Sequence, residues 1–490
     1  MEFAEMLSVL SYYKVDRTIE DIDIKALEDD SRRVNVGTLF ICIKGFMVDG
    51  HDFVEEAIHN GAVAILAERP LNVKQVPVVY VEDTSRAAAM LAAKFYRYPT
   101  QHLPVIGVTG TNGKTTVTYL LDAIFSQHGL KTAVIGTIQL KIGTQTYPIE
   151  NTTPNALYLQ KMFRKMLDNG VHIVIMEVSS HALDMGRLYG TQFTTAILTN
   201  VSQDHLDYHK TMESYIHAKS LLFAQLGNQY DPETPLFAIL NTDDAAYETM
   251  KKNTAQHVVT YGQYGSSQIT AANVELRHDG TTFTLHTTGG SIDIQSQLLG
   301  HFNVYNMLAA CGAAIARGVP LDTIKQALET ISGVDGRFEQ VDAGQPFSVI
   351  VDYAHTPDSL VNVLKTIHSF VEGRIYVVVG CGGDRDRTKR PLMAHAALNH
   401  ADWCVFTSDN PRTEDPAAIL EDMTAELTET HYTIIMDRKQ AIEHAIALAS
   451  ENDVILIAGK GHETYQQIGH KKYTFDDRKV AYDAILNKET

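Results

Sequence analysis

Cysteine is scarce in this sequence of 490 residues. The four cysteines, Cys42, Cys311, Cys381 and Cys404, are widely spaced, and two of them lie in apolar, strand-like runs. Disulfide frameworks and zinc sites place their cysteines in closely spaced sets. We therefore expect buried, reduced thiols, and neither disulfides nor a zinc site.

The sequence also lacks a long apolar run and an excess of basic residues. No run approaches the ~18 apolar residues that span a bilayer, and residues 1–6 are acidic and show no signal peptide. The 41 Lys and Arg residues against 59 Asp and Glu residues give a formal net charge of -18, which disfavours binding to a nucleic acid backbone. We expect a cytoplasmic, monomeric enzyme with no membrane span and no nucleic acid partner.

The length and the apolar pattern predict three α/β domains, at residues 1–98, 99–332 and 333–490. The first contains short strand-like runs and an alanine-rich helix from a Thr84-Ser85 cap to about residue 98, before Pro99. The second contains strand-like runs at 171–178 and 194–200, a strand-rich stretch at 269–299 and a helix at 303–317. We expect a mainly parallel sheet in the second domain.

The C-terminal third alternates strands and helices. Continuous apolar runs, typical of parallel strands covered on both faces, occupy residues 347–352, 375–380, 403–408, 432–436 and 454–458. Polar loops follow four of these runs, at residues 352–357, 382–387, 409–412 and 459–463. Ligands bind beyond the carboxyl ends of such strands. The pattern predicts a Rossmann-like, doubly wound domain whose four loops converge on one site.

A glycine-rich turn at residues 105–116 is the strongest functional motif, with the sequence VIGVTGTNGKTT. Backbone N–H groups of such a turn point at phosphate oxygens, Lys114 can reach the β and γ phosphates, and the Thr115 hydroxyl can ligate Mg²⁺. The strict motif has glycine where this chain has Val108, so the match is to a variant. The alternative is a tight strand-to-helix turn with a chance Gly-Lys-Thr. Nucleotide hydrolysis is the first hypothesis.

Three further residues bear on a metal site. Glu177 ends an apolar strand and could hold Mg²⁺, and His205 follows another strand and could face the same cation. The alternatives are a carboxylate facing water and a packed histidine. Lys219 by itself would be a solvated helix residue, because an ammonium group cannot ligate Mg²⁺.

These residues lie in segments that resemble the Mur ligases, the ATP-dependent amide-forming enzymes of peptidoglycan precursor synthesis. The resemblance covers essentially the whole chain, and Val108 is ordinary in that family. It rests on residues 109–116 (TGTNGKTT), 151–154 (NTTP), 177–181 (EVSSH), 204–209 (DHLDYH), 301–306 (HFNVYN), 336–338 (GRF) and 352–357 (DYAHTP). Residues 409–412 (DNPR) are similar to the motif of the members that add meso-diaminopimelate to UDP-N-acetylmuramoyl-L-alanyl-D-glutamate.

The resemblance implies three domains that bind, in order, the UDP substrate, ATP and the incoming amino acid. It implies catalysis by Lys114, Lys219, His205 and Arg337. It implies ATP binding by Thr109, Gly110, Thr111, Asn112, Gly113, Lys114, Thr115, Thr116, Asn303, Asn306, Arg337 and Asp352. Mg²⁺ ligation is implied for Thr115, Glu177, His205 and Lys219, the last as a CO₂-derived carbamate.

The resemblance also implies the substrate contacts. The UDP substrate matches Ser31, Asn151, Thr152, Thr153, Ser179 and Arg187, and diaminopimelate matches Arg385, Asp409, Asn410, Pro411, Arg412, Gly459 and Glu463. Met185 stands where some relatives have glutamine, which puts a direct substrate contact there in doubt.

Other functions remain open from the sequence. They are an L-lysine-adding ligase of the same family, a folylpolyglutamate synthetase-like ligase, and a P-loop switch or transport ATPase. The synthetase would explain neither residues 1–98 nor Arg412, and the Asn-Lys-x-Asp of many switches does not occur. On local grounds, residues 409–412 could also be an Asx-type turn with a solvated arginine.

Overall fold

The computed structural model describes residues 1–45, 48–147, 149, 151–277 and 280–488. The chain divides into two compact units. Unit one comprises Met1–Gly107, Leu130–Ala196 and Leu221–Leu236, and unit two comprises Val108–Gly129, Ile197–Ser220 and Phe237–Thr490. Among the described residues, none of the helices has the length and apolarity needed to cross a bilayer.

The strands and helices of the first half alternate irregularly. In chain order they are α1 (Phe3–Leu7), β1 (Lys14–Val15), β2 (Ala26–Glu28), β3 (Thr38–Ile41), α2 (Val54–His59), β4 (Ala62–Ala67), β5 (Val78–Tyr80), α3 (Thr84–Phe95), β6 (Val105–Thr109), α4 (Lys114–Gln127), β7 (Thr132–Ile135), β8 (Leu140–Ile142), β9 (Gln145–Tyr147), α5 (Ala156–Asp168), β10 (Ile173–Glu177), α6 (Ser180–Asp184), β11 (Thr195–Leu198), α7 (Leu206–His209) and α8 (Met212–Ala224).

The second half is more regular. It contains β12 (Phe237–Asn241), α9 (Tyr247–Lys252), β13 (His257–Gly262), β14 (Ile269–Arg277), β15 (Gly280–Thr287), β16 (Gly290–Ser296), α10 (His301–Ala316), α11 (Leu321–Thr330), β17 (Glu339–Gln340), β18 (Ser348–Asp352), α12 (Pro357–His368), β19 (Ile375–Val379), α13 (Lys389–Leu398), β20 (Trp403–Phe406), α14 (Pro416–Thr424), β21 (Tyr432–Ile434), α15 (Arg438–Leu448), β22 (Val454–Ala458), β23 (Tyr465–Ile468), β24 (Lys471–Thr474) and α16 (Asp477–Lys488).

Unit one contains two sets of paired strands. The first is a five-stranded sheet of order β1-β5-β4-β3-β2, in which only β1 is antiparallel to its neighbour. In the second set β10 runs parallel to β7, and β7, β8 and β9 form an antiparallel meander. The alanine-rich α3 packs its buried face on the five-stranded sheet.

Unit two contains the phosphate turn and a C-terminal sheet. Near the turn, β12, β13 and β14 pair in parallel, and β14, β15 and β16 pair antiparallel. The C-terminal sheet has the order β17-β18-β22-β19-β20-β21 and is parallel except for β17. Successive β18 residues alternate between two apolar clusters, with Ile350 in one and Val349 and Val351 in the other. This confirms the doubly wound domain, because helices cover both faces of its strands.

The structure corrects several details of the sequence prediction. Most strands are one to three residues shorter than their apolar runs, because residues at the ends of a run lie in the flanking loops. Asp83, rather than Thr84, caps α3, since its side chain accepts the N–H of Arg86. All four cysteines are free; Cys42, Cys311 and Cys404 are buried, whereas Cys381 is half-buried, and burial raises the pKa of the Cys42 and Cys311 thiols to about 12.

Candidate active site

The glycine-rich turn connects β6 to α4 in unit two. Gly113 has a φ of +85°, and a Cβ atom there would lie 2.3 Å from Asn306 Oδ1, so a side chain does not fit. Val108 is fully buried in β6. The missing glycine of the strict motif therefore falls within the strand, and the turn starts after it. The turn ends at the N terminus of the 14-residue α4, a site suited to an anion.

Lys114 and Arg337 place two cations at this turn. Lys114 Nζ donates to the carbonyl oxygens of Gly110 at 2.9 Å and Thr111 at 2.7 Å. Arg337 Nη2 donates to Thr115 Oγ1 at 2.9 Å. The structure thus brings together the lysine, the arginine and the hydroxyl that the sequence predicted around the terminal phosphates.

Lys219 lies beside the same turn and is almost completely buried, at 1% exposure. Its Nζ donates to the Gly110 carbonyl at 2.7 Å and lies 4.4 Å from the centroid of the Tyr215 ring. Burial and the charge of Lys114 lower the pKa of Lys219 well below its ordinary value. The solvated-helix alternative is therefore wrong. A buried lysine with a lowered pKa is more often neutral, which is the form that reacts with CO₂.

His205 follows β11 at a backbone φ of +55° and lies beside a buried carboxylate. Asp204 Oδ2 is 3.4 Å from His205 Nε2 and 4.0 Å from His355 Nε2, and Asp204 Oδ1 accepts Lys389 Nζ at 2.9 Å. Burial opposes ionisation of Asp204, but the charges of these three neighbours outweigh it and lower its pKa. The cluster connects the histidine loop to the N terminus of α13.

Asn303, Asn306 and Asp352, which the resemblance assigns to ATP binding, are buried polar residues. Asn306 Nδ2 donates to Asn303 Oδ1 at 3.0 Å, and the Asn306 amide packs closely against Gly113 of the turn. Asp352, at the end of β18, accepts the backbone N–H groups of Phe338 and Ala354, each at 2.7 Å. Burial raises the pKa of Asp352.

The predicted metal ligands fall in both units. Thr115, His205 and Lys219 lie in unit two, and Glu177 lies in unit one. Glu177 is buried, and its two oxygens accept the N–H and the hydroxyl of Thr137 at 2.8 and 2.9 Å. The described residues contain no group of three or more His, Cys, Asp and Glu side chains placed to hold a metal ion. Thr115 and a modified Lys219 supply oxygen donors of the kind that suits Mg²⁺.

Thr153 connects two other predicted UDP-substrate residues, Ser179 and Arg187, in unit one. Its hydroxyl donates to the Glu177 carbonyl at 2.9 Å and accepts the Ser179 N–H at 3.0 Å. Arg187 Nη1 donates to the Thr153 carbonyl at 3.2 Å. Thr152 is half-buried beside it. Thr153, Ser179 and Arg187 therefore form one hydrogen-bonded group.

The other acceptor residues differ in exposure. Ser31 is buried and donates to Glu56 Oε2 at 2.7 Å, and Asn151 is exposed. Arg187 Nη2 lies 3.3 Å from the sulfur of Met185. Met185 thus contacts the predicted substrate-binding arginine in place of the glutamine of some relatives.

Contacts join the four C-terminal loops at the carboxyl edge of their sheet: the Tyr353 and His462 rings lie 5.3 Å apart, Arg412 donates to the Gly383 carbonyl, and Asn410 donates to Glu463. Asp409 Oδ1 accepts the Asn410 N–H at 2.6 Å, and Asn410 Nδ2 donates to Glu463 Oε2 at 2.9 Å. Gly459 has a φ of +112°, and a Cβ atom there would lie 2.8 Å from Asp409 Oδ2. The carboxylates of Asp409 and Glu463, which belong to two different loops, therefore lie close together.

Arg385 and Arg412 form the cationic side of this edge. Arg412 Nη1 donates to the Gly383 carbonyl at 2.7 Å, and Arg385 Nη1 donates to the Asp384 carbonyl at 2.9 Å. Burial and the charge of Arg412 lower the pKa of Arg385. Among the described residues, neither guanidinium has an ion pair with a carboxylate. Pro411 is buried and Arg412 half-buried, so the arginine side chain is only partly exposed to solvent. The two neighbouring cations suit an anionic group.

Sequence reasoning missed four side chains of these clusters: Asp204, Lys389, Tyr353 and Lys460. Tyr353 lies under Arg337, with the guanidinium 4.4 Å from its ring centroid. Lys460 stands between two glycines directly after β22, a position that could have drawn attention to it. Asp204 and Lys389 pair across 185 positions of sequence, so no local pattern indicates the pair.

Comparison with known families and proteins gives consistent results. The chain matches the Mur ligase family catalytic domain at residues 23–103, the Mur ligase middle domain at 108–314 and the Mur ligase glutamate ligase domain at 336–461. It is 60% identical to the UDP-N-acetylmuramoyl-L-alanyl-D-glutamate--2,6-diaminopimelate ligase of Oceanobacillus iheyensis, with 100% of both chains covered. It is 55% identical to the ligase of that name from Geobacillus thermodenitrificans, again over 100% of both chains.

A solved structure of a ligase of the same name is 34% identical and has a TM-score of 0.69, with 99% of both chains covered. Since the identities exceed 30% over the full length, the resemblance found in the sequence is confirmed. The chain belongs to the Mur ligase family.

Proposed function

We propose that the protein adds meso-2,6-diaminopimelate to the D-glutamate of UDP-N-acetylmuramoyl-L-alanyl-D-glutamate, with ATP, in peptidoglycan precursor synthesis in the cytoplasm. One observation supports meso-diaminopimelate as the amino acid substrate. In the described part of the chain, Arg385 and Arg412 have no carboxylate partner, and the carboxylates of Asp409 and Glu463 lie at the same edge of the sheet. The far end of meso-diaminopimelate carries one carboxylate and one ammonium group, which match these two sets of charges.

The same charges disfavour L-lysine, the substrate of the nearest alternative. Lysine lacks the distal carboxylate, so its binding would desolvate Arg412 without pairing it. That loss costs on the order of 1 to 3 kcal/mol. Selectivity for diaminopimelate follows from the unpaired guanidinium.

The reaction proceeds through an acyl phosphate. A γ-carboxylate oxygen of the D-glutamate attacks the γ phosphorus of ATP and ADP leaves. The free amine of diaminopimelate then attacks the acyl carbon, phosphate leaves, and the nitrogen loses a proton as the amide forms. Lys114 and Arg337 supply positive charge where the transferring phosphoryl group is most anionic. Gly113 and its neighbours donate N–H groups to the phosphates, while Asn303, Asn306 and Asp352 hold the nucleoside.

Thr115, His205 and Lys219, all in unit two, would hold Mg²⁺, which would supply positive charge at the phosphates. For Glu177 a metal role rests on the family resemblance alone. For Lys219 this requires modification: its neutral amine adds to CO₂, an N–C bond forms, and a proton is released. The product is a carboxylate, which can ligate the cation. The buried position and the lowered pKa of Lys219 support this chemistry.

The acceptor is bound by the group around Thr153, together with Ser31 and Asn151. We assign residues 1–98 to the UDP substrate, 99–332 to ATP and 333–490 to the amino acid, in a monomeric enzyme. Because three substrates meet, the C-terminal domain closes during turnover and keeps water from the acyl phosphate. Solution scattering tests closure: the radius of gyration should fall when an ATP analogue and the UDP substrate are added together, and an unchanged radius contradicts it.

A turnover assay tests the function against its alternatives. Phosphate release should require the UDP-dipeptide and meso-diaminopimelate together, and L-lysine or L-ornithine should replace diaminopimelate poorly. A switch or transport ATPase would hydrolyse ATP without either substrate. A lysine-adding ligase would prefer L-lysine, and a folylpolyglutamate synthetase would turn over with a folate and glutamate instead.

A further inference from the structure

Lys460 is a fully buried cation in the loop after β22, at 0% exposure. Its Nζ donates to Asn410 Oδ1 at 3.0 Å and to Glu463 Oε2 at 2.9 Å. Burying a lysine is expensive unless its ammonium is paired and hydrogen-bonded, so this position demands both partners. They are two of the side chains assigned above to the incoming amino acid.

The contacts of Lys460 determine which atoms of its partners remain for a ligand. Asn410 Oδ1 also accepts the Gln467 N–H at 2.8 Å, so both lone pairs of this oxygen are used. Glu463 Oε2 likewise accepts two donors, Lys460 Nζ and Asn410 Nδ2. The other oxygen, Glu463 Oε1, is 3.5 Å from the Tyr465 hydroxyl. The carboxylate is therefore held through one oxygen and presents the other.

Lys460 also sets the local charge. Asp409 and Glu463 form the acidic side of this edge, and Lys460 pairs with Glu463. The group of Asp409, Glu463 and Lys460 thus has a formal charge of one negative unit, which matches the single ammonium group at the far end of a diamino diacid, while Arg385 and Arg412 face its carboxylate. Without Lys460, two poorly solvated carboxylates would lie together, and Glu463 would lose the ionic contact that fixes its side chain.

We infer that Lys460 is a positioning residue for amino acid specificity: it does not touch the substrate, but orients Asn410 and Glu463 so that Glu463 Oε1 receives the distal ammonium group. The inference rests on the proposed function and adds to it a residue that acts only through its neighbours.

The test is steady-state kinetics of Lys460→Met in the full chain. Methionine keeps the length and apolar body of lysine and removes the charge and the donors. The KM for meso-diaminopimelate should rise about tenfold or more, while the KM values for ATP and the UDP substrate stay within about twofold. Lys472→Met is the matched control, because Lys472 is exposed and lies over the Tyr465 ring at 4.1 Å from its centroid. The control should keep wild-type kinetics.

A second variant separates positioning from folding. Lys460→Gln keeps N–H donors and removes the charge, so it should restore part of the affinity for diaminopimelate. If Lys460→Met does not fold, the kinetics of Lys460→Gln provide the test. The inference then predicts a raised KM for diaminopimelate and unchanged KM values for ATP and the UDP substrate. A KM for diaminopimelate that is unchanged in a folded Lys460 variant overturns the inference and leaves the proposed function intact. A proportional loss toward all three substrates also overturns it, since that indicates a structural role. Wild-type protein without turnover on diaminopimelate overturns both.

Discussion

Replacement of Arg412 by alanine should weaken meso-diaminopimelate and spare ATP. The guanidinium lies beside Arg385 without a carboxylate partner among the described residues, so a substrate carboxylate would be its ionic contact. A hydrogen bond to a charged group contributes about 1.5 to 3 kcal/mol. At 1.4 kcal/mol per factor of ten, kcat/KM for diaminopimelate should fall about 10- to 150-fold.

The backbone does not confound this substitution. Arg412 has a φ of +50°, and alanine is an L-residue with the same steric restriction, so it introduces no new left-handed strain. Arg387→Ala is the control, because Arg387 is 63% exposed and already has a carboxylate partner in Asp422. Initial rates should be measured with each substrate varied in turn, and L-lysine should be compared with diaminopimelate. Equal losses toward ATP and diaminopimelate, or an unchanged preference over lysine, would refute the role of Arg412.

Three further predictions concern other parts of the chain. Lys219→Ala should abolish turnover, and added formate or acetate should restore part of it by replacing the carbamate; an active alanine variant excludes the carbamate. Removal of Mg²⁺ with a chelator should stop phosphate release and Mg²⁺ should restore it, whereas activity that persists contradicts the metal assignment. Arg438→Met should destabilise the C-terminal domain by about 3 to 5 kcal/mol in denaturant unfolding, because it leaves Asp477, which is fully buried, without its partner. A double variant with Asp477→Leu should recover most of that loss, and a single variant with wild-type unfolding would show that the pair is dispensable.

The sequence predicted the parts of the fold that depend on short-range patterns. Residues 349–351 and 454–458 are apolar at every position because helices cover both faces of their strands, and this identified the parallel sheet. The phosphate turn was recognisable because its glycines, lysine and threonine occur within eight residues. Strand ends and the cap of α3 were less predictable, since they depend on hydrogen bonds of single residues such as Asp83.

Residues of the candidate site could be predicted only where they belong to a recognisable sequence motif. Lys219 illustrates the limit: its burial results from packing against the turn and Tyr215, and a helical sequence context alone suggested a solvated side chain. Lys460 and Lys389 were missed for a similar reason. Each is defined by a partner more than 45 positions away, Asn410 or Asp204, and one sequence does not show which distant side chains meet.

Transfer of oxygen from the acceptor to phosphate tests the central claim most directly. The UDP substrate would be prepared with ¹⁸O in the γ-carboxylate of its D-glutamate and converted with ATP and meso-diaminopimelate, and the released phosphate would be examined by mass spectrometry. An acyl phosphate intermediate predicts one ¹⁸O atom in the phosphate for each fully labelled carboxylate consumed, because the carboxylate oxygen stays with phosphorus when the amine displaces it. Phosphate with no ¹⁸O from the carboxylate would contradict the mechanism.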